Sequence, residues 1–312
     1  MLLTLLTVIL SAWIRLAEVG IGCAEWPECY AVLDPGGEKK GITVLTEEGR
    51  DMAHRGARLA HRYIASALGL FIVVLFAMSL RHKGQRRTGM AVPIALLLIT
   101  LFLSLLGYYT PTRDAPLITM GNLLGGMGML GLLWWMMQRN AEIIVSDPLP
   151  GAKRLVLIAL GLVVLQMILG GWSSANYASS ACTDVLGCES AWLSASHYLD
   201  GYDPLRSIEL DASGKVVQES ALGALTMTHR GFALLTAAYL AWLVRKLRPV
   251  KELRASAVAT SVFSIGLIVV GVSMIWLDMP LLMLSLHNTL AACLLLGCIQ
   301  LLHRLTPVQA PQ

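Results

Sequence analysis

Three histidines of this chain, His61, His229 and His287, lie inside long apolar stretches, where an ionisable side chain is costly and marks a functional site. His229 and His287 fall at similar depth on two different stretches, roughly two helical turns from the same side. In a helix bundle such a pair can face each other and hold the iron of a haem from both sides. The plain structural alternative is a pair of imidazoles hydrogen-bonded to nearby carbonyls. His61 has the same setting, but the stretch expected to face it reads Ile118-Thr-Met-Gly-Asn122, with Asn122 where a second histidine would stand. An amide is a poor iron ligand and a good hydrogen-bond partner, so this second site would hold iron from one side and keep the other face open for reaction. Arg62 and Arg230 directly follow their histidines and are placed to pair with haem propionates, a role that competes with snorkelling to the membrane interface. His82, His197 and His303 lie at helix ends or in a loop, and the expectation for each is a solvated surface position.

The cysteines form a second constellation. Cys23 and Cys29 repeat the spacing of Cys182 and Cys188, and the preceding Leu10-Ser-Ala-Trp13 repeats as Leu169-Gly-Gly-Trp172, both at an offset of 159 residues. His61-Arg62 and His229-Arg230 continue the match at a slightly different offset, so the chain reads as an internal duplication. Each Cys-x5-Cys pair is open to three readings: a structural disulfide, a redox-active disulfide, or metal ligation with His54 nearby in the first loop. Cys293 and Cys298 lie in the last apolar stretch and read as packing residues.

Elements of one kind must position these groups. With 56% hydrophobic and only 14% charged residues among 312, and a mean hydropathy of +0.66, the chain is an integral membrane protein by composition. Apolar stretches run from Met1 to Ala17, Leu59 to Leu80, Met90 to Tyr109, Pro116 to Met137, Leu155 to Trp172, Leu222 to Val244, Ala255 to Leu277 and Met279 to Leu302. The reading is all-α: eight transmembrane helices in two pseudo-symmetric four-helix bundles, residues 1–140 and 155–312, with a cytoplasmic linker at 141–154. Lys and Arg concentrate around 81–87, 139–154 and 245–254, which places those loops and both termini in the cytoplasm and both cysteine loops outside it. The net charge of +4 belongs to this rim, and no basic tract interleaved with aromatics suggests nucleic acid. The expected location is the plasma (inner) membrane, with the lipid bilayer as the constant partner.

Glycines 121, 125, 126, 128 and 131 strip one side of the fourth helix, for close helix packing or as a flat wall beside a macrocycle. Taken together, Gly22-Cys-Ala-Glu-Trp-Pro-Glu-Cys29, His61-Arg-Tyr-Ile-Ala-Ser-Ala-Leu-Gly69, Leu165-Gln-Met-Ile-Leu-Gly-Gly171, Thr228-His-Arg230 and Leu286-His-Asn288 resemble the haem A synthase family from end to end. The resemblance implies oxidation of the C8 methyl of haem O to a formyl, giving haem A for cytochrome oxidase assembly. It implies a permanent haem b on His229 and His287 in the carboxy-terminal half, and haem O as substrate beside His61 in the amino-terminal half. Haem O synthase, cytochrome oxidase assembly factors and an unidentified electron donor or acceptor are the partners it implies. Two positions depart from the family pattern: Arg58 stands where a glutamate is common, with Asp51 before His54-Arg55 as the nearest carboxylate of that spacing, and Asn122 stands where a histidine is common. Two other functions fit the same residues: a haem b electron carrier between quinone and extracytoplasmic thiols, and a non-catalytic haem-binding assembly protein.

Overall fold

The computed structural model describes residues 1–16, 48–81, 90–109, 116–138, 149–182, 184–185, 188, 194–206, 208, 220–277 and 279–306. Cys23 and Cys29 lie outside the described residues. The described chain is all-helical: α1 (Leu2–Leu16), α2 (Glu48–Arg81), α3 (Ala91–Tyr109), α4 (Pro116–Gln138), α5 (Ala152–Ala175), a 3-10 turn (Ala178–Ala181), α6 (Ala195–Gly201), α7 (Ser220–Leu247), α8 (Lys251–Trp276) and α9 (Leu281–Arg304).

Local sequence explains several boundaries. Pro116 opens α4 at the first helical position, where its missing N–H costs nothing. Gly151 precedes α5 with φ 75°, a conformation that a Cβ would strain. Met279 adopts φ 54° and Pro280 follows at φ −64°, so four residues are enough to turn the chain from α8 into α9. The largest departure from the expected boundaries is α2, which starts at Glu48 rather than near Leu59. The added turns hold Arg50, Asp51, His54, Arg55 and Arg58, residues that end an apolar stretch without ending a helix.

Among the described residues, five segments are long and apolar enough to cross a membrane: Gly56–Arg81, Pro116–Gln138, Ala152–Ala175, Lys251–Trp276 and Leu281–Arg304. Leu2–Ile14 and Ala91–Gly107 are shorter apolar helices. Large apolar side chains point outward in quantity, among them Leu70 at 67% exposure, Leu98 at 60%, Leu234 at 67% and Ile265 at 58%. In water such a surface would drive aggregation, whereas in a bilayer it meets lipid at no cost.

The long helices make two closed rings. α1 packs on α2, α2 on α3, α3 on α4 and α4 back on α1; α5, α7, α8 and α9 close a second circuit in the same way. The rings meet along α4 against α5 and α9, and α1 against α9. The main core fills the second ring, with Val156, Leu243, Leu253 and Leu301 buried in it, and reaches across that junction to Val8 of α1 and Leu130 of α4. Because lipid tails are as apolar as leucine, this core is held by close van der Waals fit rather than by escape from water.

The glycines of α4 serve that fit. A Cβ on Gly121 would lie 2.7 Å from Leu106 Cδ1, one on Gly125 2.6 Å from Leu103 Cδ2, and one on Gly131 2.8 Å from Ile299 Cδ1. Leucine side chains of α3 fill the space beside Gly121 and Gly125, so at those two positions packing prevails over a flat wall. His303 corrects a second expectation: it is buried, with its ring edge-on to Trp135 at 5.1 Å between centroids. Cys298 is fully buried, as a packing residue should be.

Candidate functional site

His229 on α7 and His287 on α9 occupy opposite corners of the second ring, and their imidazoles converge. The ring centroids are 6.4 Å apart with the planes inclined at 72°. Two metal–nitrogen bonds of about 2 Å, with ~1 Å more from each nitrogen to its ring centre, would separate two axial imidazoles by about 6 Å. The observed spacing is one that a single iron can span. His287 Nδ1 is buried without a hydrogen-bond partner, an unusual expense for a purely structural imidazole. The His229 ring also presses on a glycine of a neighbouring helix, and the His287 ring lies in ordinary contact range of another. A Cβ on Gly170 of α5 would lie 2.5 Å from His229 Cε1, and one on Gly271 of α8 would lie 3.4 Å from His287 Cε1. These observations fit a haem held between the two histidines.

Gln166, one turn before Gly170 on α5, holds His229 from the side. Its Nε2 lies 2.9 Å from His229 Nδ1 and donates to the His229 carbonyl at 3.1 Å. In the sequence Gln166 and Gly170 stand out only as part of matched stretches, with no role assigned to them or to Gly271. The signal for Gln166 was available, since a carboxamide in an otherwise apolar stretch stands out on the same grounds as the histidines; the glycines only gain meaning once the ring beside them is located.

Above the pair sits a loop tied at several points. Cys182 and Cys188 form a disulfide, which settles that pair against metal ligation. Arg230, next to His229, donates to the carbonyls of Cys182 at 3.1 Å and Val185 at 3.3 Å and also reaches that of Asp184. Its guanidinium is thus committed to the loop, and any contact with a propionate would share it. Thr226 donates to Ala178 O at 2.5 Å, and Trp172 Nε1 donates to Gly201 O at 2.8 Å, fastening the 3-10 turn and α6 to the ends of α7 and α5.

In the first ring His61 and Arg62 lie on α2 and Asn122 on α4, again at opposite corners, and His61 and Asn122 are both half-buried. The residues flanking Asn122 reach the second ring: a Cβ on Gly171 would lie 2.5 Å from Leu123 Cδ2 and 2.8 Å from Met120 Sδ. Gly170 and Gly171 therefore face, respectively, His229 and the Asn122 segment.

Two comparisons extend this geometry. Residues 1–299 match the family model described as cytochrome oxidase assembly protein. A haem A synthase of Shewanella oneidensis is 29% identical over 305 residues, covering 94% of this chain and 90% of the relative.

Proposed function

The chain belongs to the COX15-CtaA family of cytochrome oxidase assembly proteins, and on that premise we propose that it is a haem A synthase, a membrane oxidoreductase that converts haem O to haem A. The observation that carries this reading is the contrast between His229 facing His287 in one ring and His61 opposite Asn122 in the other.

His229 and His287 would hold a permanent haem b. A haem held by these two residues would supply one-electron transfer. Gly170 and Gly271 let the two imidazoles sit close against α5 and α8. Arg230 and the disulfide-closed loop, joined by the bond to the Cys182 carbonyl, would cover this site on its extracytoplasmic side. His61 would bind the substrate haem O, and the Asn122 carboxamide would orient it by hydrogen bonding while leaving one face of its iron free. Arg62 would pair with a propionate of that substrate.

The supporting architecture in this reading is eight transmembrane helices in two pseudo-symmetric halves, 1–140 and 155–312, joined by a cytoplasmic linker. Both termini would be cytoplasmic in the plasma membrane, with Cys23 and Cys29 closing a loop outside as Cys182 and Cys188 do. Haem O synthase as supplier, cytochrome oxidase assembly factors as recipients and a separate electron partner complete the setting.

Membranes that contain this chain and a haem O supply should yield haem A, or its alcohol intermediate, on pigment extraction. Unchanged haem O with a reducible b-type spectrum would favour the electron carrier instead. One observation speaks for that second reading: the disulfide is one residue's reach from His229, through Arg230.

A further inference from the structure

Two residues of α5, four positions apart and therefore on one face of the helix, form a socket for the His229 ring. Gly170 lets the ring approach: a Cβ there would lie 2.5 Å from Cε1, 2.9 Å from Nδ1 and 3.2 Å from Nε2. Gln166 grips it, with Nε2 at 2.9 Å from Nδ1 and at 3.1 Å from the residue's own carbonyl oxygen. Gln166 Oε1 is buried and has no partner. Among the described residues no comparable grip exists on the opposite ring, where His287 Nδ1 is buried without a partner.

We infer that Gln166 is a positioning residue for the iron ligand His229, fixing which ring nitrogen faces the iron and how strongly that nitrogen donates. The inference rests on the haem reading above. With Nδ1 turned to Gln166, Nε2 is the nitrogen left for a metal. Ligation through Nε2 requires the proton on Nδ1, and that N–H needs an acceptor. A carboxamide is the neutral side chain that can serve either tautomer, since a half-turn about its last bond exchanges NH2 for C=O. Oε1, which is without a partner among the described residues, would be that acceptor, and turning it to Nδ1 exchanges the donation from Nε2 to the His229 carbonyl for the bond to the ring. An N–H···O bond to Oε1 makes the imidazole more electron-rich and stabilises the oxidised iron.

The other half is built differently at the related positions. At the offset of 159, Thr7 stands for Gln166 and Ser11 for Gly170. The Thr7 hydroxyl donates to Leu3 O at 2.8 Å, so it is spent on its own helix. The tuned ligand is thus confined to the ring where both histidines converge.

The test compares full-length wild type, Gln166→Met and Gln166→Glu in membranes, reading the low-spin haem spectrum and its midpoint potential by redox titration. Gln166→Met keeps the volume and removes the acceptor, so the midpoint should rise. Gln166→Glu offers a stronger acceptor, so the midpoint should fall. Opposite displacements support the inference; unmoved potentials, or displacements in the same direction, reduce Gln166 to packing and overturn it. Should Gln166→Met fail to accumulate, Gln166→Glu decides alone by the presence or absence of the downward shift. A wild-type protein with no low-spin haem would instead overturn the His229–His287 ligand pair, a result separable from a haem that is present and indifferent to Gln166.

Discussion

Around His229 the structure has supplied space, a polar grip and a partner: Gly170 makes room, Gln166 holds the ring, and His287 lies 6.4 Å away across the bundle. Around His61 the positions related by the 159-residue repeat are Ser11 and Thr7, and the helix at the opposite corner offers Asn122. Each half closes a circuit of four long helices, and the two sites differ in these side chains. In the proposed reading, one ring would clamp a resident group and the other would berth something that must enter, react and leave. Stability and turnover make opposite demands on such a site, and two copies allow each demand its own solution.

The largest expected effect tests the clamp directly. His229→Ala or His287→Ala should abolish the low-spin b-type spectrum, whereas His61→Ala should keep that spectrum and stop haem A formation. A low-spin signal that survives His287→Ala would break the comparison, because the ligand pair would then lie elsewhere.

Space comes next. Gly170→Ala puts a Cβ within 2.5 Å of the His229 ring and Gly271→Ala puts one only 3.4 Å from His287. The first should cost about 1–3 kcal/mol of overpacking and most of the haem content, the second far less. Equal haem loading in the two variants, measured against protein, would show that the ring does not depend on α5.

Asn122→His should sharpen the contrast from the other side. An added ligand opposite His61 would close the open face, lowering haem A output while leaving the low-spin signal of the other half unchanged. Unaltered output would mean that Asn122 does not define that face.

The smallest effect is expected in the loop. Cys182→Ser removes a disulfide that closes a short loop, worth about 2 kcal/mol by chain entropy, and frees the carbonyls that Arg230 holds. Thermal stability should fall modestly with haem A synthesis retained. Complete loss of synthesis would mark the disulfide as part of the chemistry and revive the thiol electron-carrier reading.

The histidine pair was legible in the sequence because a membrane makes buried polarity expensive, so His229 and His287 stand out against Leu and Val. Gln166 was equally visible on that argument, and only the structure ties it to His229. His303 was misjudged because its basic neighbours suggest water, while Trp135 on another helix covers it. The start of α2 escaped for a related reason: apolarity marks where a helix meets lipid, and Glu48 to Arg58 continue the helix beyond that limit. The α4 glycines were recognised as important from composition, but only Leu103, Leu106 and Ile299 reveal that neighbouring side chains occupy the space.

The contact of α9 with both α1 and α4 has a consequence for how the protein is made. α9 is the last of the described helices to be made, so its share of the junction between the rings, against α1 and α4, forms after the chain for the α4–α5 contact is complete. His287 travels on that same helix, and until it docks, His229 has no imidazole opposite it. In the proposed reading, synthesis of α9 would therefore have to precede two-sided capture of iron by this pair, and a chain stopped before Leu281 would lack the second imidazole.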